Sequence, residues 1–206
     1  GIKRLARVVN VEARQLELVE ELADNVELPI QVTIASGFPK GDKLEFITQK
    51  VTELGASQIW AFPADWSVAK WDGKKLGKKV EKLEQIALGA AEQSKRNFVP
   101  IITLFEKKAD FLAQLSQFDR IVVAYEESAK EGEAAALLQA VTGLEKGAKL
   151  LFIFGPEGGL SPAEIESFVA KGAILAGLGP RILRAETAPL YALSAVSVVT
   201  ELMKNA

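Results

Sequence analysis

The chain contains neither cysteine nor histidine among its 206 residues. Without cysteine it has no disulfide and no thiolate site, and nothing in the composition points to secretion, so we expect a cytoplasmic protein. The lack of histidine excludes Ser-His-Asp and Cys-His catalysis, imidazole bases and most catalytic zinc sites. Any chemistry must rely on carboxylates, Lys, Arg, hydroxyls, backbone dipoles or a cofactor with its own reactive group.

Long apolar runs are also missing, because none reaches the roughly 18 residues of a membrane helix. The first residues show no signal-peptide pattern. The apolar content of 49% and charged content of 25% are ordinary for a globular protein. The net charge is −2, so binding to nucleic acid would require a local basic face.

The clearest pattern lies between residues 150 and 193. Two apolar strands are predicted at 150–154 and 173–178, and each runs into a glycine loop that a helix follows. The first helix has a capping box from Ser161 to Glu164, with Pro162 in its first turn. The second helix is predicted over 188–204. Such strand–loop–helix units build parallel sheets, whose ligands bind at the carboxyl ends of the strands.

Both glycine loops are therefore expected at one edge of a sheet. The first reads Gly155-Pro156-Glu157-Gly158-Gly159, and the second runs from Gly179 to Thr187. Glycine allows positive φ and lets a ligand approach the backbone. A tight turn explains any single glycine equally well, but two matched loops favour a binding site. Neither loop is a P-loop or a dinucleotide fingerprint.

Periodicity and turn residues place the remaining elements. We predict helices over 42–54, 74–95, 111–115 and 131–142, and strands over 58–62, 101–104 and 120–125. Short strands are predicted at 5–11, 16–19 and 30–34.

The sequences FGPEGGLSPAEIESF (154–168) and LGPRILRAETAPLYAL (178–193) together resemble those of the RsmE-type 16S ribosomal RNA (uracil-N3)-methyltransferases. These enzymes belong to the SPOUT class, which uses S-adenosylmethionine. The resemblance extends upstream through residues 40–62, 90–100 and 122–128, and covers roughly residue 35 to the C-terminus.

The resemblance implies an α/β fold, with a SPOUT-type parallel sheet and a C-terminal trefoil knot in residues 36–206. Family members carry a PUA-like β-barrel before this domain, and residues 1–35 match only about its second half. A homodimer is also implied, which agrees with a last helix that is apolar on nearly all sides.

The implied reaction is methylation of N3 of uracil 1498 in 16S rRNA, within the 30S subunit, using S-adenosylmethionine and no metal. Two alternatives stay open: a SPOUT enzyme acting on another RNA position such as a ribose 2′-hydroxyl, and a non-catalytic RNA-binding module. The resemblance assigns cofactor binding to Phe154, Gly155, Glu157, Gly158, Leu178, Gly179, Ile182, Leu183, Thr187 and Ala188.

Arg184 and Glu186 are the predicted catalytic residues. A guanidinium cannot act as a base at neutral pH, but it can stabilise a uracil anion or hold a phosphate. Alternatively, Arg184 forms only a salt bridge to Glu186 or Glu157. Either glutamate could accept the proton or hold Arg184, and Thr187 suits a helix cap better than catalysis.

RNA contacts are predicted for Gln93, Lys95 and Arg96 at the end of the long helix, because an amide and a guanidinium can read a base edge and a phosphate. Lysines at 75, 78, 79 and 82 share one face of this helix. That face is either simply solvated or follows phosphates. Trp66 and Trp71 could stack on bases, whereas packing is favoured for Trp60.

Overall fold

The computed structural model describes residues 2–22, 25–125 and 136–203, and its main feature is a six-stranded sheet. The order is β5-β4-β3-β7-β6-β8, and all neighbouring strands are parallel. The strands are β3 (Gln31–Gly37), β4 (Gln58–Phe62), β5 (Ile101–Leu104), β6 (Arg120–Ala124), β7 (Lys149–Phe154) and β8 (Ile174–Ala176).

Helices cover both faces of this sheet. They are α1 (Lys43–Glu53), α2 (Gly73–Gln93), α3 (Lys108–Ala113), α4 (Ala136–Val141), α5 (Pro162–Val169) and α6 (Ala188–Ser197). A 3₁₀ turn at Leu115–Gln117 follows α3, and a π-helical segment at Val198–Leu202 continues α6. The described helices α1, α2, α4 and α6 pack on one face, and α3 and α5 pack on the other.

Strand β7 shows how the two faces are filled. Leu150 and Phe152 point into the core beneath α1 and α6, whereas Leu151 and Ile153 point into the core beneath α5. All four side chains are fully buried. A parallel strand that is covered on both sides must be apolar throughout, so β7 has no alternation of apolar and polar residues.

The first two strands form a separate antiparallel hairpin, β1 (Lys3–Asn10) and β2 (Gln15–Leu22). The next strand, β3, lies between β4 and β7 in the large sheet. The domain boundary predicted after residue 35 therefore falls inside β3. The strand predicted at 30–34 belongs to the large sheet, where Val32 and Ile34 are fully buried in the core. The PUA-like character of the hairpin stays a prediction.

Most of the predicted elements are confirmed, with shifted ends. Strands β4 and β5 have the predicted bounds, and β8 is shorter than predicted. Helix α2 ends before Lys95, which has a φ of 59°. Residues 131–135 of the predicted fourth helix, residues 126–128 of the family resemblance and Lys204 lie outside the described residues. No helix in the described ranges is long and apolar enough to cross a membrane. The trefoil knot stays a prediction.

Candidate functional site

The two glycine loops lie at the carboxyl edge of the sheet, as the sequence predicts. The first glycine loop, residues 155–160, follows β7, and the second glycine loop, residues 177–187, follows β8 and leads into α6. All of the predicted cofactor and catalytic residues lie in these loops or at their borders. Helix α1 and the segment 63–72 begin at the same edge, after β3 and β4.

The first glycine loop folds tightly on itself. A Cβ at Gly155 would lie 2.7 Å from the carbonyl carbon of Gly159 and 3.0 Å from the nitrogen of Leu160. Gly159 has a φ of 79°, and its N–H donates to the carbonyl oxygen of Pro156 at 2.9 Å. No residue with a side chain fits at Gly155 without moving the loop. The close approach of the loop to itself therefore requires glycine at position 155.

Two neighbouring segments fix the position of this loop. At the end of β3, a Cβ on Gly37 would lie 2.5 Å from Cδ of Pro156. On another side, a Cβ on Gly158 would lie 3.1 Å from Cβ of Trp66, in the segment after β4. The first glycine loop thus lies between the ends of two adjacent strands, β3 and β4, that were not predicted to contact it.

The second glycine loop turns sharply into α6. Gly179 has a φ of 87°, which favours glycine. The backbone N–H groups of Thr187 and Ala188 both donate to the carbonyl oxygen of Arg184, at 2.9 and 3.0 Å. Thr187 occupies the N-cap position, but its side chain makes no capping hydrogen bond. The prediction of Thr187 as the N-cap residue is thus confirmed for its position, but its side chain does not make the capping hydrogen bond.

Lys43, in the first turn of α1, connects the two loops. Its Nζ lies 2.9 Å from Oε1 of Glu157 and 3.2 Å from Oε2 of Glu186. The backbone N–H of Lys40 also donates to Oε1 of Glu157, at 3.1 Å. The position of Lys43 between the two loops is not predictable from the sequence, because nothing near this residue in the chain indicates two carboxylate partners more than a hundred residues away.

The pKa values of this group shift in opposite directions. The pKa of Lys43 is raised, mainly by its hydrogen bond to Glu157, against an opposing effect of burial. Burial alone would raise the pKa of Glu157, but hydrogen bonds from Lys43 and from the backbone N–H groups of Glu157 and Lys40 hold this pKa below its ordinary value. Both groups are therefore charged near neutral pH.

Glu186 differs from Glu157 in its hydrogen bonds. Its Oε2 is buried and accepts no hydrogen bond from the described residues, although Lys43 lies within ion-pair distance. Arg184 Nη1 is 4.0 Å from Oε1 of Glu186, and the Arg184 side chain is 84% exposed. The predicted salt bridge is thus long and open to solvent. The Glu186 carboxylate is held by Lys43 through Oε2, and the Arg184 guanidinium is accessible to a substrate.

A network of polar side chains around the buried Glu164 connects α5, α3 and the segment 63–72 near this edge. The side chain of Glu164, in α5, accepts from the backbone N–H groups of Asp65 and Ser161, at 2.9 Å each. Lys108 contacts the carboxylates of both Asp65 and Glu164. The hydrogen bond from Lys108, followed by that from Ser161, lowers the pKa of Asp65. The predicted capping box is confirmed, and it also anchors the segment that carries Trp66.

The predicted RNA-binding group does not lie at this edge. Arg96 has a side chain that is only 3% exposed, and it donates to Glu27 and to the carbonyl oxygens of Thr52 and Ala56. A buried guanidinium with these partners does not fit the predicted RNA contact, so the structure corrects Arg96 to a structural role. Gln93 and Lys95 are exposed, and their RNA contacts stay predictions.

A cavity lies at the opposite edge of the sheet. It has a volume of about 600 Å³ and is lined by residues at the amino ends of β3, β4 and β5 and by the start of β1. The described residues contain no group of three or more acidic side chains that could hold a metal ion. The carboxyl edge, where the two glycine loops bring the predicted cofactor and catalytic residues together, is the better candidate site.

Comparison with known proteins identifies the family of the chain. A family model described as an RNA methyltransferase domain matches residues 26–197. The ribosomal RNA small subunit methyltransferase E of Bacillus subtilis is 54% identical over 188 residues, which are 91% of this chain and 73% of the relative.

Solved structures support the same fold. A Neisseria gonorrhoeae ribosomal RNA small subunit methyltransferase E bound to S-adenosyl methionine matches with a TM-score of 0.75 and 27% identity, over 96% of this chain and 79% of that one. The TrmH/SpoU tRNA modifying enzyme of A. aeolicus matches with a TM-score of 0.50 and 16% identity, over 84% and 77%. The second match shows the fold alone. Together with the parallel sheet, these matches confirm the SPOUT-type fold.

Proposed function

We propose, since this chain belongs to the family of RsmE-type ribosomal RNA methyltransferases, that it methylates N3 of uracil 1498 in the 16S rRNA of the small subunit. The methyl donor is S-adenosylmethionine, and the reaction takes place in the cytoplasm. The observation that carries the proposal is the meeting of two glycine loops at one sheet edge, where Lys43 pairs with Glu157 of the first loop and with Glu186 of the second.

The residues present fit this cofactor. S-adenosylmethionine combines an adenosine, which suits bare backbone N–H and C=O groups, with a positively charged sulfonium, which suits nearby carboxylates. The loops around Gly155, Gly158 and Gly179 would supply the backbone groups, and the carboxylates are Glu157 and Glu186. The apolar side chains of Phe154, Leu178 and Leu183 border the loops and would exclude water.

When bound, the cofactor supplies an electrophilic methyl group, so the chain's own residues must orient the uracil and manage the N3 proton. Glu157 is engaged by the Lys43 ammonium and the Lys40 N–H, which leaves it a positioning role. Glu186 pairs with Lys43 through Oε2, and we assign the N3–H group to its other oxygen, Oε1, which lies 4.0 Å from Arg184 Nη1. Arg184 is exposed beside it, where its charge stabilises the uracil anion as the proton leaves.

The test of Arg184 separates binding from transfer. Arg184→Ala should leave affinity for S-adenosylhomocysteine nearly unchanged, since the cofactor is held mainly by backbone groups. Methyl transfer should fall on the order of a hundredfold, as expected for the loss of one charged contact to the reacting group. Arg184→Lys should restore little, because a point charge does not replace a planar fork.

Arg181→Ala is the matched control, because Arg181 is exposed in the same loop. It should transfer methyl groups at nearly the wild-type rate. If binding and transfer fall together in Arg184→Ala, Arg184 belongs to the cofactor pocket. If neither falls, the assignment is wrong.

The acceptor atom is tested directly. The substrate is 30S subunits, and separately protein-free 16S rRNA, from cells that lack this modification. Mass spectrometry of the digested RNA should locate the new methyl group on N3 of the uracil base. A methyl group on a ribose 2′-hydroxyl would contradict the proposed acceptor, and cofactor binding without any transfer would favour the RNA-binding module.

The proposed enzyme acts as a homodimer. The last helical segment buries Leu193 and Val196, but it exposes Tyr191, Leu202 and Met203, which are 41%, 65% and 64% accessible. A second copy of the chain would cover this apolar surface. Leu202→Glu should therefore produce monomers in sedimentation at micromolar concentration, and a monomeric wild-type protein would contradict the proposal.

A further inference from the structure

The segment between β4 and the second turn of α2 combines exposed aromatic and basic side chains. Residues 66–79 contain five lysines and a single aspartate, in a chain whose net charge is −2. Trp66 is 49% exposed, and Lys70, Lys74, Lys75 and Lys78 are exposed. We refer to these five residues, Trp66 and Lys70, Lys74, Lys75 and Lys78, as the basic strip.

Trp66 differs from the other two tryptophans. Trp60 is 3% exposed and packs edge-on against three phenylalanines. Trp71 stacks on Phe38 with ring centroids 4.3 Å apart, and Lys79 Nζ lies 4.4 Å from its ring centre. Those two rings are used in packing. Trp66 alone among the tryptophans keeps a ring open to solvent.

Lys74, Lys75 and Lys78 lie on sides of α2 that face away from the core, and Lys70 lies in the segment before this helix. Leu76 and Leu83 are buried on the inner side. Lys74 and Lys78 are one turn apart, about 6 Å along the helix axis. Within the described ranges, Lys70, Lys74 and Lys78 form no ion pair, and Lys75 reaches only 3.9 Å from Asp72, with both side chains about two-thirds exposed. These charges are therefore available to a ligand.

The strip begins at the candidate site. Trp66 packs against Gly158 of the first glycine loop. Farther along α2, Lys82 forms a 2.6 Å ion pair with Glu45, which is two residues after Lys43 in α1. The middle of α2, one turn beyond Lys78, is thus fixed beside the start of α1, which carries Lys43.

We propose that the basic strip binds the single-stranded part of the RNA substrate that flanks the reactive uracil. Trp66 stacks on an unpaired base next to the glycine loops, and the lysines follow the phosphates away from the site along α2. An exposed ring supplies stacking to any base, and spaced cations supply phosphate contacts, which is the combination that binds single strands. This inference rests on the proposed function, because it names how that substrate is held.

The experiment compares two triple variants that remove the same charge. Lys74→Gln, Lys75→Gln and Lys78→Gln together neutralise the strip. The control carries three other substitutions, Lys146→Gln, Lys149→Gln and Lys171→Gln. These exposed lysines lie near the amino ends of β7 and β8, at the opposite edge of the sheet. Binding of protein-free 16S rRNA and of a short uridine-rich strand is measured at several salt concentrations, without the methyl donor.

The strip variant should bind both RNAs at least tenfold more weakly than the control. The slope of log affinity against log salt should become shallower by about two, since each single-strand phosphate contact contributes roughly 0.7. Affinity for S-adenosylhomocysteine should equal that of the wild type. Equal RNA affinity and equal salt slope in the two triple variants would overturn the proposal.

Trp66 is tested separately with Trp66→Leu and Trp66→Phe. Loss of one stacked base corresponds to about tenfold weaker binding for Trp66→Leu, and Trp66→Phe should recover most of it. If Leu and Phe bind RNA equally well, Trp66 only packs on Gly158 and the stacking role is wrong. Failure of the proposed function would appear differently, as wild-type protein that binds RNA and transfers no methyl group.

Discussion

Replacing Lys43 with methionine should open the candidate site without unfolding the protein. Lys43 is the one cation within 4 Å of both Glu157 and Glu186 among the described residues. Methionine keeps most of the length of the side chain and removes the charge. The two carboxylates then lose their shared partner and repel each other, so the two glycine loops should move apart.

The size of the effect follows from the exposure of the three side chains. They are 28%, 26% and 19% exposed for Lys43, Glu157 and Glu186. Fully exposed ion pairs contribute less than about 1 kcal/mol, whereas removing one partner of a buried pair costs about 3–5 kcal/mol. We expect about 2 kcal/mol here, which is on the order of thirtyfold in affinity if all of it appears in ligand binding. If the same free energy instead appears in unfolding, the substitution lowers Tm by roughly 5 °C.

Calorimetry with S-adenosylhomocysteine measures this effect. This ligand lacks the sulfonium charge, so its affinity reports the geometry of the loops and not the direct attraction of a cation to free carboxylates. Lys50→Met is the matched control in the same helix. Lys50 pairs at 2.9 Å with Glu53, which lies three residues later in the helix. That pair should contribute only about 0.3–0.5 kcal/mol.

A double-mutant cycle tests the reasoning. If Lys43 acts by holding the two carboxylates together, Glu186→Gln should remove part of the repulsion that Lys43→Met creates. The double variant should then be less impaired than the sum of the two single variants, with a coupling above 0.5 kcal/mol. Additive effects, or equal losses in Lys43→Met and Lys50→Met, would refute the link between the loops.

Three further predictions concern the support of the site. Gly37→Ala places a Cβ 2.5 Å from Pro156, so it should lower the free energy of unfolding by about 1–3 kcal/mol and weaken ligand binding. The control is Gly89→Ala in α2, where the added Cβ has open space, and it should be neutral or stabilising in thermal unfolding. Arg96→Met should lower the urea midpoint by an amount equivalent to about 3 kcal/mol and leave RNA affinity unchanged. The pKa of Asp65 is held below its ordinary 3.8, so the ionised carboxylate stabilises the fold above that pH, and this stabilisation is lost on acidification. Asp65→Asn should therefore flatten the fall in the free energy of unfolding below about pH 4.

Local features of the chain were predictable because their causes are local. The capping box at Ser161 and Glu164 was readable since both partners lie within four residues. The glycine loops were placed correctly because apolar strands precede them. The boundary predicted after residue 35 falls inside β3, because an apolar run such as that of β3 is equally typical of a barrel strand and of a buried parallel strand.

The errors in the site have a different cause, which is sequence separation. Arg96 looked like an RNA-binding residue because its guanidinium follows the amide of Gln93 at the end of the long helix, but its partner Glu27 lies 69 residues earlier in the chain. Lys43 looked like an ordinary residue of a first helical turn. Its two partners come from loops after β7 and β8, and only the folded sheet brings them together.

The order of the strands explains why these partners meet where they do. From β3 the chain proceeds outward through β4 to β5, and then crosses to β6 and β7 on the other side of β3. Helix α1 leaves β3 on one face of the sheet, and α5 leaves β7 on the opposite face. Adjacent parallel strands whose following helices diverge leave a crevice at their carboxyl ends, and ligands bind there. Lys43 and Glu157 face each other across this crevice, so their ion pair ties together the two sides that the topology separates.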